Sequence, residues 1–326
     1  MRRREFITLL GGTTVAWPLA ARAQQPAVPV IGYLSAVSAE SSARLLAVFR
    51  ESLAETGYVE GGNVAIDYRF AEGQYDRLPM MAEQLVRRRV AAVVAGSCPS
   101  ALAAKGATAS IPIVFAANED PVKADLVASL ARPGGNATGV YFFASELGAK
   151  QLGLLRELVP AAARIGLLIN PNSEGAEAVA RKVETAASAI PVAIDVVQAS
   201  DRNGIDAAFA TLVRNKADAL LSTPDPFFYS RRLQIATLAT RHAIPAIYAV
   251  REYAEVGGLM TYGASLKEAW RQLGVYTGRI LKGAKPADLP VVQSIKFELI
   301  INAQTARALG LKISDNLLSL ADEVIE

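Results

Sequence analysis

The chain predicts an α/β protein built as two doubly wound lobes, each a parallel sheet with helices on both faces. Three observations carry this. From Val28 onward, short apolar runs alternate with amphipathic ones, and a β-α-β-α order calls for parallel strands covered on both sides. The alternation runs through two sets of about 110 residues each, a usual domain size. After Tyr262 the chain adds a further helix and a further strand, so it returns to the first lobe and crosses again.

In the first set, Val28 to Leu34 reads as a strand. Ser41 to Thr56 reads as a helix, with Leu45, Phe49 and Leu53 on one face at a spacing of four. Val64 to Phe70 and Tyr75 to Arg88 repeat the pair. Val90 to Gly96 is a strand, Pro99 to Ser110 a helix and Ile111 to Ala117 the next strand. Pro121 is expected to open another helix, because its missing N–H costs nothing there. In the second set, strands are expected at 164–170, 192–198, 217–223 and 244–249, and helices at 173–189, 205–214 and 231–242. Arg132 to Val140 reads as a turn and a short strand crossing between lobes. Helix 266–281, an extended stretch 284–290 and a strand 297–302 complete the second passage. No sequence repeat relates the two sets.

Apolar residues make up 52% of the 326-residue chain, enough for sizeable cores. The formal charge of +3 comes from the first 24 residues, where four arginines face Glu5. The rest is balanced at 30 basic and 30 acidic residues. No basic stripe exists, so no nucleic-acid partner is expected. Residues 1–23 have the parts of an export signal: Arg2 to Arg4, an uncharged run from Phe6 to Ala21, and the small-residue site Ala21-Arg22-Ala23. The run includes Gly11, Gly12 and Pro18, too short and polar for a bilayer core of about 30 Å. Arg3-Arg4-Glu5-Phe6-Ile7 resembles a twin-arginine signal, and general secretion stays open as a route. Cleavage is expected after Ala23, with the mature protein in the periplasm. Cys98 is the single cysteine, so no disulfide framework is expected.

Ligands of open parallel sheets bind beyond the carboxyl ends of the strands, where the following helices point their N-termini. In lobe one that edge carries Ser35, Ser97, Ser100, Asn118 and Asp120. In lobe two it carries Asn172, Ser173, Asp225, Phe227 and Tyr248. The set suits a ligand with an anionic group for hydroxyls and helix N-termini. Asp120 or Asp225 would meet a cation on it. Tyr33, Phe227, Phe228, Tyr248 or Tyr262 would meet an apolar or aromatic body. Singly, each has a plainer reading. Asp120 and Ser173 fit as N-caps contributing about 1 kcal/mol each, and the aromatics fit as packing.

Several stretches together resemble a known family. They are 57-GYVEGGNV-64, 71-AEGQYDRLP-79, 111-IPIVFAANEDPV-122, 126-LVASLARPGGNATGV-140, 245-PAIY-248, 257-GGLMTYG-263, 280-ILKGAKPADLP-290 and 297-FELIINAQTARALGL-311. The chain is similar along essentially its whole length to ABC-transporter periplasmic substrate-binding proteins of the tryptophan-binding type. The resemblance implies a type I periplasmic binding fold with a three-crossover hinge. Lobe one would then be 28–139 plus 264–290, and lobe two 140–263 plus 291–326. It implies a monomeric receptor that takes a small carboxylate-bearing solute, an amino acid with an aromatic one as the leading candidate, and hands it to ABC permease subunits. It assigns the carboxylate to Ser97, Ser100 and Asn118, and the ammonium to Asp225. Pro224 and Pro226 around Asp225 depart from the pattern and put its orientation in question.

Three other readings bear on the same residues. A periplasmic enzyme could use Cys98 as nucleophile and His242 as base. His242, however, sits where a helix C-terminus explains it, and no nucleophile-elbow or dinucleotide-binding motif occurs. A regulator would need a DNA-reading module before Val28, where the export signal stands. A ligand sensor without a transport role is the third. One histidine makes a metal site improbable, and no cofactor is expected.

Overall fold

The computed structural model describes residues 28–142, 147–173, 175–293 and 296–326. The expected export signal lies outside them. Thirteen strands are present among the described residues: β1 (Val30–Ser35), β2 (Ala65–Phe70), β3 (Ala92–Ala95), β4 (Ile113–Ala117), β5 (Ala137–Tyr141), β6 (Arg164–Ile169), β7 (Ala193–Gln198), β8 (Ala219–Ser222), β9 (Ala246–Tyr248), β10 (Met260–Ala264), β11 (Val292–Gln293), β12 (Phe297–Asn302) and β13 (Glu323–Ile325). They form two sheets, β11-β5-β4-β3-β1-β2 and β13-β12-β10-β9-β8-β6-β7. Every pairing is parallel except β10 with β12.

The period of two along each strand divides the cores. In β4, Ile113, Phe115 and Ala117 join one cluster, while Val114 and Ala116 join the other on the opposite face. In β6, Ile165, Leu167 and Ile169 face one cluster and Leu168 the other. A strand buried on both faces has to be apolar throughout, which is why these segments read as unbroken apolar runs.

Helix starts follow local chemistry. Ser38, Ser97 and Asp201 cap helices Ala39–Glu55, Cys98–Ala107 and Arg202–Arg214, each side chain accepting a first-turn amide at 2.8–3.3 Å. The helix expected at Pro121 does not form. The amides of Leu126 and Val127 both reach back to the Pro121 carbonyl, and Asp125 sits at φ 52, left-handed geometry that breaks a helical run. Residues 121–125 are turns.

The chain passes between sheets three times: between Tyr141 and Gly148, between Ala264 and Leu266, and between Gln293 and Phe297. Two of these lie slightly beyond the expected lobe limits at 139 and 290. β5 stays paired with β4 to Tyr141, opposite Ala117, and β11 adds beyond it in the first sheet. Helix Leu266–Leu281 packs against helix Ala39–Glu55 of lobe one. Gly274 and Gly278 lie over Ser52 and Thr56 and let the two backbones approach closely.

Candidate functional site

Between the lobes lies a cleft with about 920 Å³ of empty space, part of it open to solvent. Its position follows from the topology. The carboxyl ends of β1, β3 and β4 supply Ser35, Gly96, Ser97 and Asn118 from lobe one; the loop after β8 supplies Thr223, Pro224 and Asp225 from lobe two. Helices Ala39–Glu55 and Cys98–Ala107 begin at this edge and bring their positive N-terminal ends to it. Among the described lining residues Asp225 is the one carboxylate, and there is no Lys, Arg or His.

The hydroxyls of lobe one are ordered by their own helices. Ser97 Oγ accepts from the Ser100 amide (3.3 Å) and lies 2.8 Å from Ser100 Oγ. Ser100 is completely buried behind it, so it supports Ser97 without lining the cleft. Ser35 Oγ accepts from the Val37 amide at 3.3 Å and lies 3.4 Å from Ser42 Oγ.

Asp225 caps the short helix Pro226–Ser230. Its Oδ1 accepts from the Phe227 and Phe228 amides (2.9 and 3.3 Å) and from Asn170 Nδ2 (3.0 Å). Tyr75 of lobe one donates to the same carboxylate, 3.1 Å from Oδ1 and 3.2 Å from Oδ2. Burial pushes the carboxyl up to about 6, against the pull of these donors. Pro226 does not turn the side chain away. As the first helical residue it has no amide to satisfy, and the carboxylate folds back over the next two.

Further contacts join the lobes. Asn118 Nδ2 donates to the Pro224 carbonyl (3.1 Å), and Ser173 Oγ donates to Glu119 Oε1 (3.2 Å). Arg44 pairs with Glu255 at the rim. Ser173 is thus not the expected N-cap; the helix begins three residues later, at Ala176.

The walls are largely apolar. Trp270 and Phe142 stack at 6.5 Å with planes 9° apart, and Trp270 Nε1 donates to the Tyr33 hydroxyl at 3.0 Å. Tyr229 and Tyr253 face them from lobe two. Gly96 fits closely beside this group: a Cβ there would stand 3.1 Å from the Tyr33 hydroxyl, tighter than usual, and 3.5 Å from Trp270, an ordinary contact.

Of the sequence-predicted residues, Ser35, Ser97, Asn118 and Asp225 line the cleft. The others stand elsewhere. Tyr33 is buried behind Trp270, and Tyr248 is buried under Tyr253, stacked at 4.2 Å. Phe227 packs on Phe228, and Tyr262 lies beside Phe297. Asp120 accepts the Val122 amide at 2.9 Å, an ordinary turn cap. Asn172 borders a groove on the other side of the lobe contact. Trp270, Tyr229 and Tyr253 escaped the sequence reading because each lies inside a helix rather than in the loop directly after a strand; Phe142 directly follows β5, a segment read only as the crossover between lobes. A signal was available for Trp270: it lies one turn into the helix after a crossover.

Cys98 is buried with Sγ 3.9 Å from Glu119 Oε2. His242 terminates helix Arg232–Arg241 and stacks on Phe209. No group of three or more metal-ligating side chains occurs among the described residues, and no helix among them is long and apolar enough to cross a membrane.

Comparison with known proteins agrees with this geometry. The curated "Tyrosine-binding protein" of Clostridioides difficile (strain R20291) is 29% identical over 264 residues, 81% of this chain and 76% of that one. The Streptococcus pneumonia ABC domain in complex with L-Trp superimposes with a TM-score of 0.81 at 29% identity, covering 90% of this chain and all of the other. The ligand-free, open structure of a Clostridium difficile substrate-binding protein with adhesive properties gives 0.64 at 27% identity, covering 91% and 99%. The family and these neighbours are substrate-binding proteins, not enzymes. The profile of the ABC transporter substrate-binding protein family matches residues 30–325, and the chain belongs to that family.

Proposed function

We propose that this chain is an exported receptor of an ABC importer that captures an amino acid, aromatic by preference, between its lobes and presents it to membrane permease subunits. The observation that carries this is the composition of the cleft: hydroxyls and helix N-termini on one lobe, one buried carboxylate on the other, and Trp270 and Phe142 between. Helix N-termini and Ser97 suit a carboxylate. Asp225 Oδ2 accepts only Tyr75 among the described residues, which leaves it lone-pair capacity for an ammonium. The aromatic walls suit a ring. The names of the relatives support the same class, since one is called tyrosine-binding and another holds L-Trp.

Capture proceeds by closure. A ligand that touches both lobes only when they meet favours the closed form by its differential affinity. Asn118, Ser173 and Tyr75 already bridge the lobes here, and the overlap is better with the L-Trp complex than with the open, ligand-free relative. Residues 1–23 supply the export signal and the periplasm is the compartment.

A thermal-shift screen tests the ligand class, because a bound ligand raises the melting point by mass action. L-Trp and L-Tyr are expected to raise it, and the same acids without the ammonium to raise it much less. Isothermal titration then gives at least tenfold weaker binding for the deaminated acids, as expected for a lost charged hydrogen bond. Equal affinity for the two kinds of ligand would remove Asp225 from the site.

A further inference from the structure

Tyr75 belongs to lobe one but is built into lobe two. It opens a short turn of helix, Tyr75–Arg77, two residues after Gly73. Its ring packs against the lobe-one core around Leu78 and also against the lobe-two core around Phe227 and Phe228. Its hydroxyl donates to the Asp225 carboxylate and accepts from the Phe227 amide at 3.0 Å. Burial and the neighbouring carboxylate push this hydroxyl far above the usual phenol range, so it stays a donor at any working pH. Gly73 makes room for the contact: it stands at φ 83, and a Cβ there would come 3.3 Å from the Phe227 ring. Tyr75 does not line the ligand cleft; it lines the groove on the other side of the lobe contact. It reaches Asp225 from behind.

We propose that Tyr75 is a positioning residue for ligand capture: on closure its hydroxyl locks onto Asp225 and the Phe227 amide, fixes the carboxylate toward the cleft, and holds the lobes together from outside the ligand site. This deepens the closure reading above and rests on it. A neutral hydroxyl facing a buried carboxylate forms a charge-assisted bond, and the contact exists only when the lobes meet. The lock therefore slows opening without touching the solute. It sets residence time rather than selectivity.

The test uses Tyr75→Phe, which keeps the ring that fills both cores and removes only the hydroxyl; a retained cooperative melt confirms folding. Two readouts apply. The first needs no ligand: hydrogen exchange of the amides at 227–228 is expected to speed up about tenfold, the scale of one hydrogen bond to a charged group. The second is the release of L-tyrosine, followed through Trp270 with excitation at the red edge of indole absorption. Release is expected to quicken about tenfold, with the ranking of amino acids unchanged. The Tyr75 hydroxyl bonds the Phe227 amide directly but reaches the Phe228 amide only through Asp225, so adding the substitution to Asp225→Asn should change exchange at Phe228 far less than it does in the parent.

Unchanged exchange and unchanged release in a folded Tyr75→Phe protein would overturn the proposal. So would an effect of full size on the Phe228 amide in the Asp225→Asn background, which is what a route that bypasses Asp225 would give. If no amino acid binds the parent, the amino-acid reading of the cleft falls. Faster exchange that depends on Asp225 would still support the lock.

Discussion

Asp225→Asn is expected to abolish most of the affinity for an amino acid while leaving the ligand-free protein at least as stable as the parent at neutral pH. Two opposing effects decide this. In the ligand complex the carboxylate is the one formal negative charge among the described cleft residues, and losing a buried charged partner costs about 2 kcal/mol or more, thirtyfold in Kd. In the ligand-free protein the same carboxylate is a burden. Burial lifts its pKa from the ordinary 3.8 to about 6, so keeping it ionised costs the fold roughly 3 kcal/mol. Asparagine keeps an oxygen for the Phe227 and Phe228 amides without that cost. Alanine loses the cap as well, about 1 kcal/mol, and should melt below Asp225→Asn.

The sign of the pH dependence follows from the same shift. A carboxyl raised in the folded state contributes stability below about pH 4 and loses that contribution as pH rises through 6. This part of the melting-point profile should vanish in Asp225→Asn. Binding runs the other way. An ammonium favours the ionised carboxylate, so the ligand complex has the lower pKa and affinity for the amino acid should fall as pH drops through about 6. Titration calorimetry from ~1 unit below that value to ~2 units above it checks it. A flat affinity profile would mean that no cation meets Asp225.

Gly274→Ala is expected to have a large effect on the fold itself. A Cβ at this position would lie 2.0 Å from Ser52 Oγ, 2.7 Å from the Phe49 carbonyl and 2.9 Å from the Leu53 amide. The serine hydroxyl could rotate away, but the two backbone atoms cannot. The contact between helices Ala39–Glu55 and Leu266–Leu281 would have to open. Overpacking of this kind costs about 1–3 kcal/mol, roughly 2–4 °C in Tm per kcal/mol for a lobe of this size. Helix Leu266–Leu281 also carries Trp270 into the cleft, so the substitution should weaken aromatic ligands too. Gly153 is the control, since nothing stands within 4 Å of a Cβ there. Gly153→Ala should match or exceed the parent in a thermal melt, and an equal melt for Gly274→Ala would refute the packing argument.

The architecture was legible because strands buried on both faces are forced to be apolar. Segments such as Ile113–Ala117 declare themselves without any knowledge of the partner strand. The helix at Pro121 was misread because proline there fits a helix start and a turn equally well, and the left-handed Asp125 that decides the matter follows four residues later. The strand-end rule brought Ser35, Ser97, Asn118 and Asp225 to one cleft because it rests on topology, which the alternation fixes. It says nothing about side-chain direction. Tyr33 and Tyr248 sit on strands of the same two sheets, yet both side chains are packed into the cores. Trp270 and Tyr75 reach their places through contacts between residues 237 and 150 apart in the chain, and no local pattern encodes such pairs.

Small-angle scattering of the protein from Val28 onward, with and without saturating L-Trp or L-Tyr whose binding has first been verified by calorimetry, tests the hinge most directly. Closure predicts a smaller radius of gyration and a shorter maximum dimension with the amino acid bound. Identical profiles in the two states would contradict capture between moving lobes.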